Sequence, residues 1–127
     1  MKTLKTMILC TIMMVCGMNA MADNRDNLIY NSEEVNGLVM SQTVYKNEDG
    51  ALINYQKISY QYDAQNRRIE EVSMKWNSNK NAWVNDICIR STYEGKSITN
   101  TYYKWNNKKG EFVMVPEMTI TIDNPNL

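Results

Sequence analysis

The chain of 127 residues balances 14 Lys and Arg against 14 Asp and Glu and contains no histidine. That balance denies it the basic face that nucleic acid or an anionic membrane requires of a partner. The missing imidazole excludes Cys-His and Ser-His-Asp nucleophile systems and any histidine-based metal site.

The N-terminus reads as a secretory signal peptide over residues 1–22. Lys2 and Lys5 give a positive start, residues 6–18 are almost wholly apolar, and Ala20-Met21-Ala22 offers a small-x-small cleavage site. The apolar run is too short to span a bilayer. The expected product is an exported chain, periplasmic or secreted, with one domain over residues 23–127 and no membrane span. Lipid anchoring through Cys16 is the alternative, but Val15 before it is not the small residue such a signal wants. Cleavage removes both lysines and leaves 12 basic against 14 acidic residues, a net charge of −2. Cys10 and Cys16 leave as well, so Cys88 stands alone as a small buried hydrophobe or, alternatively, an intermolecular disulfide partner.

From residue 28 onward the chain alternates strands and turns. Residues 28–35 form a first strand, and Asn36-Gly37 follows as a type I′ hairpin signal, because both central positions of that turn need positive φ. A strand rich in Val, Thr and Tyr covers residues 38–46, and residues 47–50 turn the chain. The long strand 51–63 puts Leu52, Ile58, Tyr60 and Tyr62 on one face and Ile53 and Tyr55 on the other. Residues 68–76 return with Val72, Met74 and Trp76 on a common face. After the Asn-rich turn 77–81 come the strand 82–94, a turn at Gly95, the strand 97–105 and a turn at 106–110. A last long strand covers 111–123, and its Pro116 cannot donate to a ladder, which predicts an edge position or a bulge there.

Three stretches superpose without a gap. They begin at Tyr45, Trp76 and Trp105, meet a large apolar residue seven positions on (Leu52, Trp83, Phe112), and end on Asp63, Glu94 and Asp123. No useful helical period occurs. The fold class is therefore all-β: an antiparallel meander of about seven strands, built from three hairpin repeats of about 30 residues, as a curved sheet or a partly closed barrel.

Tyr60-Gln-Tyr62-Asp63 followed by Arg67-Arg68 resembles the Tyr-Asp hairpin repeat of bacterial secreted and wall-associated proteins (the YD or Rhs type), with Asn66 where glycine is usual. Across nearly the whole mature chain, the signal and the W-N-x-x-K-x-x-[WF]-V hairpins resemble small exported domain-of-unknown-function proteins of gut Bacteroidales. That resemblance implies an all-β exported protein and no particular activity.

The acids occur as neighbours, Glu33-Glu34, Glu48-Asp49 and Glu70-Glu71. Adjacent strand residues point to opposite faces, so a pair that lies on a strand is split, and the pairs read as solvated edge and turn charge and not as a two-carboxylate centre. No cofactor or metal is expected, and no enzyme activity. The aromatic positions are the positive signal. Tyr45, Trp76 and Trp105, with Trp83 and Phe112, would form rows across a sheet, serving either as cross-strand packing or as a platform for sugar rings or peptide. The expected function is a non-catalytic binding module for a glycan polymer or protein partner through that aromatic face. The alternative is a structural protein that self-associates through exposed sheet edges into a homo-oligomer.

Overall fold

The computed structural model describes residues 11–15 and 27–123. Its strands are β1 (Thr11–Val15), β2 (Leu28–Val35), β3 (Leu38–Glu48), β4 (Ala51–Tyr62), β5 (Arg68–Asn77), β6 (Ala82–Glu94), β7 (Ser97–Asn106), β8 (Glu111–Met114) and β9 (Ile120–Asp123). All lie in one antiparallel sheet in chain order, except that β8 and β9 share the outer edge of β7. The two ends of the sheet do not pair, so the meander is open and the partly closed barrel is not formed. The expected signal peptide and Cys16 fall outside the described residues apart from β1, whose backbone pairs with β2, Thr11 opposite Glu34 and Val15 opposite Tyr30. Among the described residues no helix is long and apolar enough to cross a membrane.

Turn chemistry sets the register. Asn36-Gly37 (φ 51° and 79°) and Asp49-Gly50 (φ 51° and 84°) are both positive at both central positions, as a type I′ turn demands. β3 runs on through Glu48, so the first repeat closes with a two-residue loop. The second and third repeats close with four-residue loops between the pairs Asn77–Ala82 and Asn106–Glu111. In each loop an asparagine at the strand end caps the turn: Asn47 Oδ1 accepts from the Gly50 amide, Asn77 Oδ1 from Lys80, and Asn106 Oδ1 from Lys108 and Lys109.

Each returning strand carries an irregularity at one equivalent place. β4 holds one extra residue at Tyr55 and β6 one at Asp86, both as bulges. In the third repeat the same place takes three extra residues, folded as a 3-10 turn at Pro116–Met118. The expected continuous strand 111–123 is thus broken into β8 and β9. Proline explains the break: it offers no amide to β7, and its ring starts the 3-10 turn, whose Thr119 amide bonds to the Pro116 carbonyl at 3.1 Å. The bulge at Tyr55 also corrects the face assignment of β4. Leu52 lies on the opposite face from Ile58, Tyr60 and Tyr62, because the extra residue shifts the alternation.

The sheet is a single layer, and its strands touch their sheet neighbours. One face carries Tyr45, Trp76, Trp83, Trp105 and Phe112 and is called the Trp face; the other carries Tyr60, Tyr62, Tyr93 and Tyr102 and is called the Tyr face. With nothing stacked on either, burial is sparse among the described residues. Val44 and Cys88 are each 1% exposed and Ser73 is 8% exposed, Cys88 on the Trp face and the other two on the Tyr face. Their cover comes from flanking side chains of the same sheet.

Candidate functional site

All five aromatic residues singled out from the sequence sit on the Trp face, near the end formed by the 48–51, 77–82 and 106–111 turns. Two pairs meet directly across a hairpin. Trp76 and Trp83 lie with ring centroids 5.1 Å apart at 69°, and Trp105 and Phe112 5.0 Å apart at 71°. Edge-to-face geometry matches the positive ring edge of one to the negative face of the other, worth about 0.5–1.5 kcal/mol beyond area burial. Tyr45 joins neither pair, being flanked in register by Ile29 and Asn54. The two-residue loop of the first repeat also moves Leu52 opposite Asn47.

The continuous row expected from the superposed repeats is therefore not formed. The β6–β7 register brings Trp105 level with Asp86, three residues from Trp83, a stagger of roughly 10 Å along the strands. The rings stand as two half-buried pairs, with no ring–ring contact between them among the described residues.

At the other end of the sheet the repeated tyrosines pin the hairpins. The Tyr62 hydroxyl donates to the Val39 carbonyl at 2.6 Å, and the Tyr93 hydroxyl to the Arg68 carbonyl at 2.7 Å. The Tyr-Asp run has a physical basis beside them. Asp63 Oδ1 accepts from the Gln65 and Arg67 amides, both at 2.9 Å, and Oδ2 takes the Arg67 guanidinium at 2.8 Å. The Arg67 amide bond foremost, with the guanidinium and the Gln65 amide, holds the Asp63 carboxyl below its ordinary value. Asn66 takes the positive φ, 60°, that glycine would supply.

Between these pins lies a hollow of about 490 Å³ on the Tyr face, bordered by Tyr62, Arg68, Glu71, Ser91, Tyr93 and Asn100. The Arg68 guanidinium stacks 4.0 Å over the Tyr60 ring, and Arg67 lies 4.4 Å over Tyr93. Burial, followed by the nearby Glu71 carboxylate, pushes the Tyr60 phenol up. Ser91 Oγ bonds to Asn100 Oδ1 at 2.7 Å. The sequence put Tyr60 and Tyr62 on one face and tied them to a Tyr-Asp repeat, but pointed to no site at them. The available signal was the alternation of 89, 91 and 93 facing 98 and 100, which places them on one face.

Several other polar groups are engaged, whereas the buried Asn31 Oδ1 has no hydrogen-bond partner among the described residues. Asp86, turned onto the Tyr face by its bulge, holds Lys104 Nζ at 2.6 Å and Lys75 Nζ at 3.5 Å, and that bond raises the Lys104 ammonium. On the Trp face Arg90 pairs with Glu70 at 3.2 Å and stacks on Tyr103 at 4.8 Å. Cys88 lies beside them, its thiol pushed up by burial first and by Glu70 next. The adjacent Glu70 and Glu71 do point to opposite faces. No cluster of three metal-ligating side chains occurs among the described residues.

These features define an open, single-layer sheet of repeated hairpins, stitched at one end by ring pairs and at the other by tyrosine hydroxyls. The chain belongs to DUF3836, a family of unknown function whose profile matches residues 1–123. A DUF3836 protein of Bacteroides vulgatus is 60% identical, its crystal structure covering 77% of this chain and 100% of its own with a TM-score of 0.74. One from Parabacteroides distasonis, 24% identical, covers 80% of this chain and 94% of its own at a TM-score of 0.68 and shares the fold. A Bacteroides fragilis protein of unknown function, 23% identical, covers 72% and 68% at a TM-score of 0.66. No curated protein matches the chain.

Proposed function

We propose that the protein is an exported, non-catalytic binding module that holds a glycan polymer against its Trp face. The observation that carries this reading is the pair of half-exposed ring clusters, Trp76–Trp83 and Trp105–Phe112, on a sheet face that no second layer of the described residues covers. Amphipathic rings fixed on rigid strands lose little freedom when a sugar face or an apolar chain packs on them. Catalysis finds no support beside them. Glu70, on the same face, is tied to Arg90, and the Cys88 thiol beside it is pushed up by burial, away from the thiolate form that a nucleophile needs. Titrating the protein with neutral and acidic glycans and with peptides, while following tryptophan emission, tests the reading. A saturable change with a glycan is expected. Silence across a broad glycan panel sinks it, and a response to peptides alone transfers the face to a protein partner.

A second reading, assembly through a sheet edge, is favoured by β9. All four of its residues are exposed, Ile120 at 56% and Ile122 at 52%, and the strand itself contains no lysine or proline. Light scattering decides it: a monomer at high concentration removes this alternative.

A further inference from the structure

We propose that the hollow on the Tyr face is a second binding site, built for a neutral saccharide unit and independent of the Trp face. Its volume, about 490 Å³, falls within the ~300–1,000 Å³ typical of small-molecule sites. The floor is regular sheet: Ile89, Ser91 and Tyr93 alternate along β6 opposite Tyr102, Asn100 and Ile98 of β7. The two ring walls, Tyr62 and Tyr93, are held by their hydroxyl bonds to Val39 and Arg68. The site therefore exists before a ligand arrives, and binding demands little ordering of the protein.

Charge selects the ligand class. Arg68 and Glu71 bring one charge of each sign, and neither has an ion-pair partner among the described residues. A phosphate or carboxylate ligand meets Glu71, and a cationic one meets Arg68. A neutral polyol uses both, its hydroxyls donating to Glu71 and accepting from Arg68, whose guanidinium is fixed over Tyr60. Asn100 adds to this. Its Oδ1 is taken by Ser91, which leaves the amide nitrogen to donate. Ile89, Ile98 and the tyrosine rings supply the apolar surface that the C–H face of a sugar ring packs on.

The two sites separate experimentally, because all three tryptophans lie on the other face and at the other end. Trp76 stands five residues from Glu71 along β5, and Trp105 five from Asn100 along β7, roughly 16 Å in each case. Amide chemical-shift mapping with neutral gluco-, manno- and galacto-oligosaccharides, run beside tryptophan emission, is the test. The expected result is saturable shifts at Ser91, Tyr93 and Asn100 with emission unchanged. Glu71→Gln should weaken binding at least about fivefold without moving the urea midpoint, in line with loss of one hydrogen bond, and Asn100→Ala should weaken it as much while also lowering the midpoint through the lost bond from Ser91. Oligogalacturonides should bind more weakly than their neutral counterparts and recover in Glu71→Gln. Absence of shifts at the hollow with every neutral sugar, or shifts there with charged peptides only, overturns the proposal. Shifts confined to the surroundings of Trp76 and Trp105 overturn it too, while leaving the Trp-face reading in place.

Discussion

The second and third hairpins start alike and finish differently. β5–β6 and β7–β8 each close with a four-residue loop capped by an asparagine, and each sets two rings edge to face at 5.0–5.1 Å. Beyond the rings they part. β6 absorbs one extra residue at Asp86, which gathers Lys75 and Lys104, and then runs on to Tyr93, whose hydroxyl ties the open end. At the place of Asp86 the third hairpin has Val115, after it the 3-10 turn at Pro116–Met118, and at the place of Tyr93 it has Ile122. The outcome is a short edge strand with every side chain exposed. Turn and ring pair thus suffice to start a hairpin in this sheet. Carrying it to full length takes a second pin at the far end, since no opposing layer does that work.

Breaking the ring pair should test this most severely. Trp76→Ala removes the partner of Trp83 in a sheet with almost no other buried apolar mass. For a half-buried ring, a loss of about 2 kcal/mol is expected, below the ~3–5 kcal/mol of fully buried aromatics. Phe112→Ala should destabilise less, because β8 is an edge strand of only four residues. Urea unfolding of both variants checks the order, and equal losses would show that the two hairpins are not graded as described. Tyr93→Phe comes next. It deletes the hydroxyl bond to Arg68 while keeping the ring, and about 1 kcal/mol is expected from the urea midpoint.

Much of the comparison was legible in the sequence, and the part that was not has identifiable causes. Strand positions followed from glycine and asparagine at the turns, and the common face of Val72, Met74 and Trp76 followed from alternation. Alternation misled where a residue was inserted. Nothing at Tyr55 marks a bulge, so Leu52 was placed with Ile58 although the two face opposite ways. Superposing the repeats implied a continuous ring row. Loop length overrode it, because two residues at Asp49-Gly50 and four at 78–81 give different cross-strand partners to residues at equal spacing. Pro116 did announce trouble at the edge, but proline alone does not say whether a bulge or a full break follows. The hollow was invisible for another reason: its members come from β4, β5, β6 and β7, and only the register assembles them.

A smaller effect, confined to acid, should separate the link before the second hairpin from the link before the third. The first is held by Asp63, whose carboxyl lies below its ordinary value in the fold, whereas the second is the tight turn at Gly95 with no such carboxylate bonds. A depressed folded value means that Asp63 contributes stability above its unfolded value, about 3.9, and loses it as pH falls through the folded value. The advantage of the native chain over Asp63→Asn should therefore be full near about pH 5 and shrink towards about pH 2. Thermal midpoints of the two proteins across that window check the sign. An advantage that grows in acid would mean that Asp63 is not the carboxylate holding this turn.

The smallest expected effect is also the most direct test of the missing pin. Ile122 occupies in the third repeat the position of Tyr62 and Tyr93 in the others, and it pairs in register with Ile98 on the Tyr face. Ile122→Tyr would restore a hydroxyl within reach of the β7 backbone on an edge strand that water also reaches. A phenol bond in that setting competes with solvent, so the gain should be a few tenths of a kcal/mol, the low end for an intramolecular hydrogen bond. Global unfolding will hardly register it. Amide exchange should, because β9 opens locally before the sheet unfolds, and slower exchange at Ile120–Asp123 reads that opening alone. Protection confined to β9 would show that the third hairpin falls short for want of its tyrosine. If exchange stays as fast as before, the Pro116–Met118 break, and not the missing hydroxyl, keeps this edge loose.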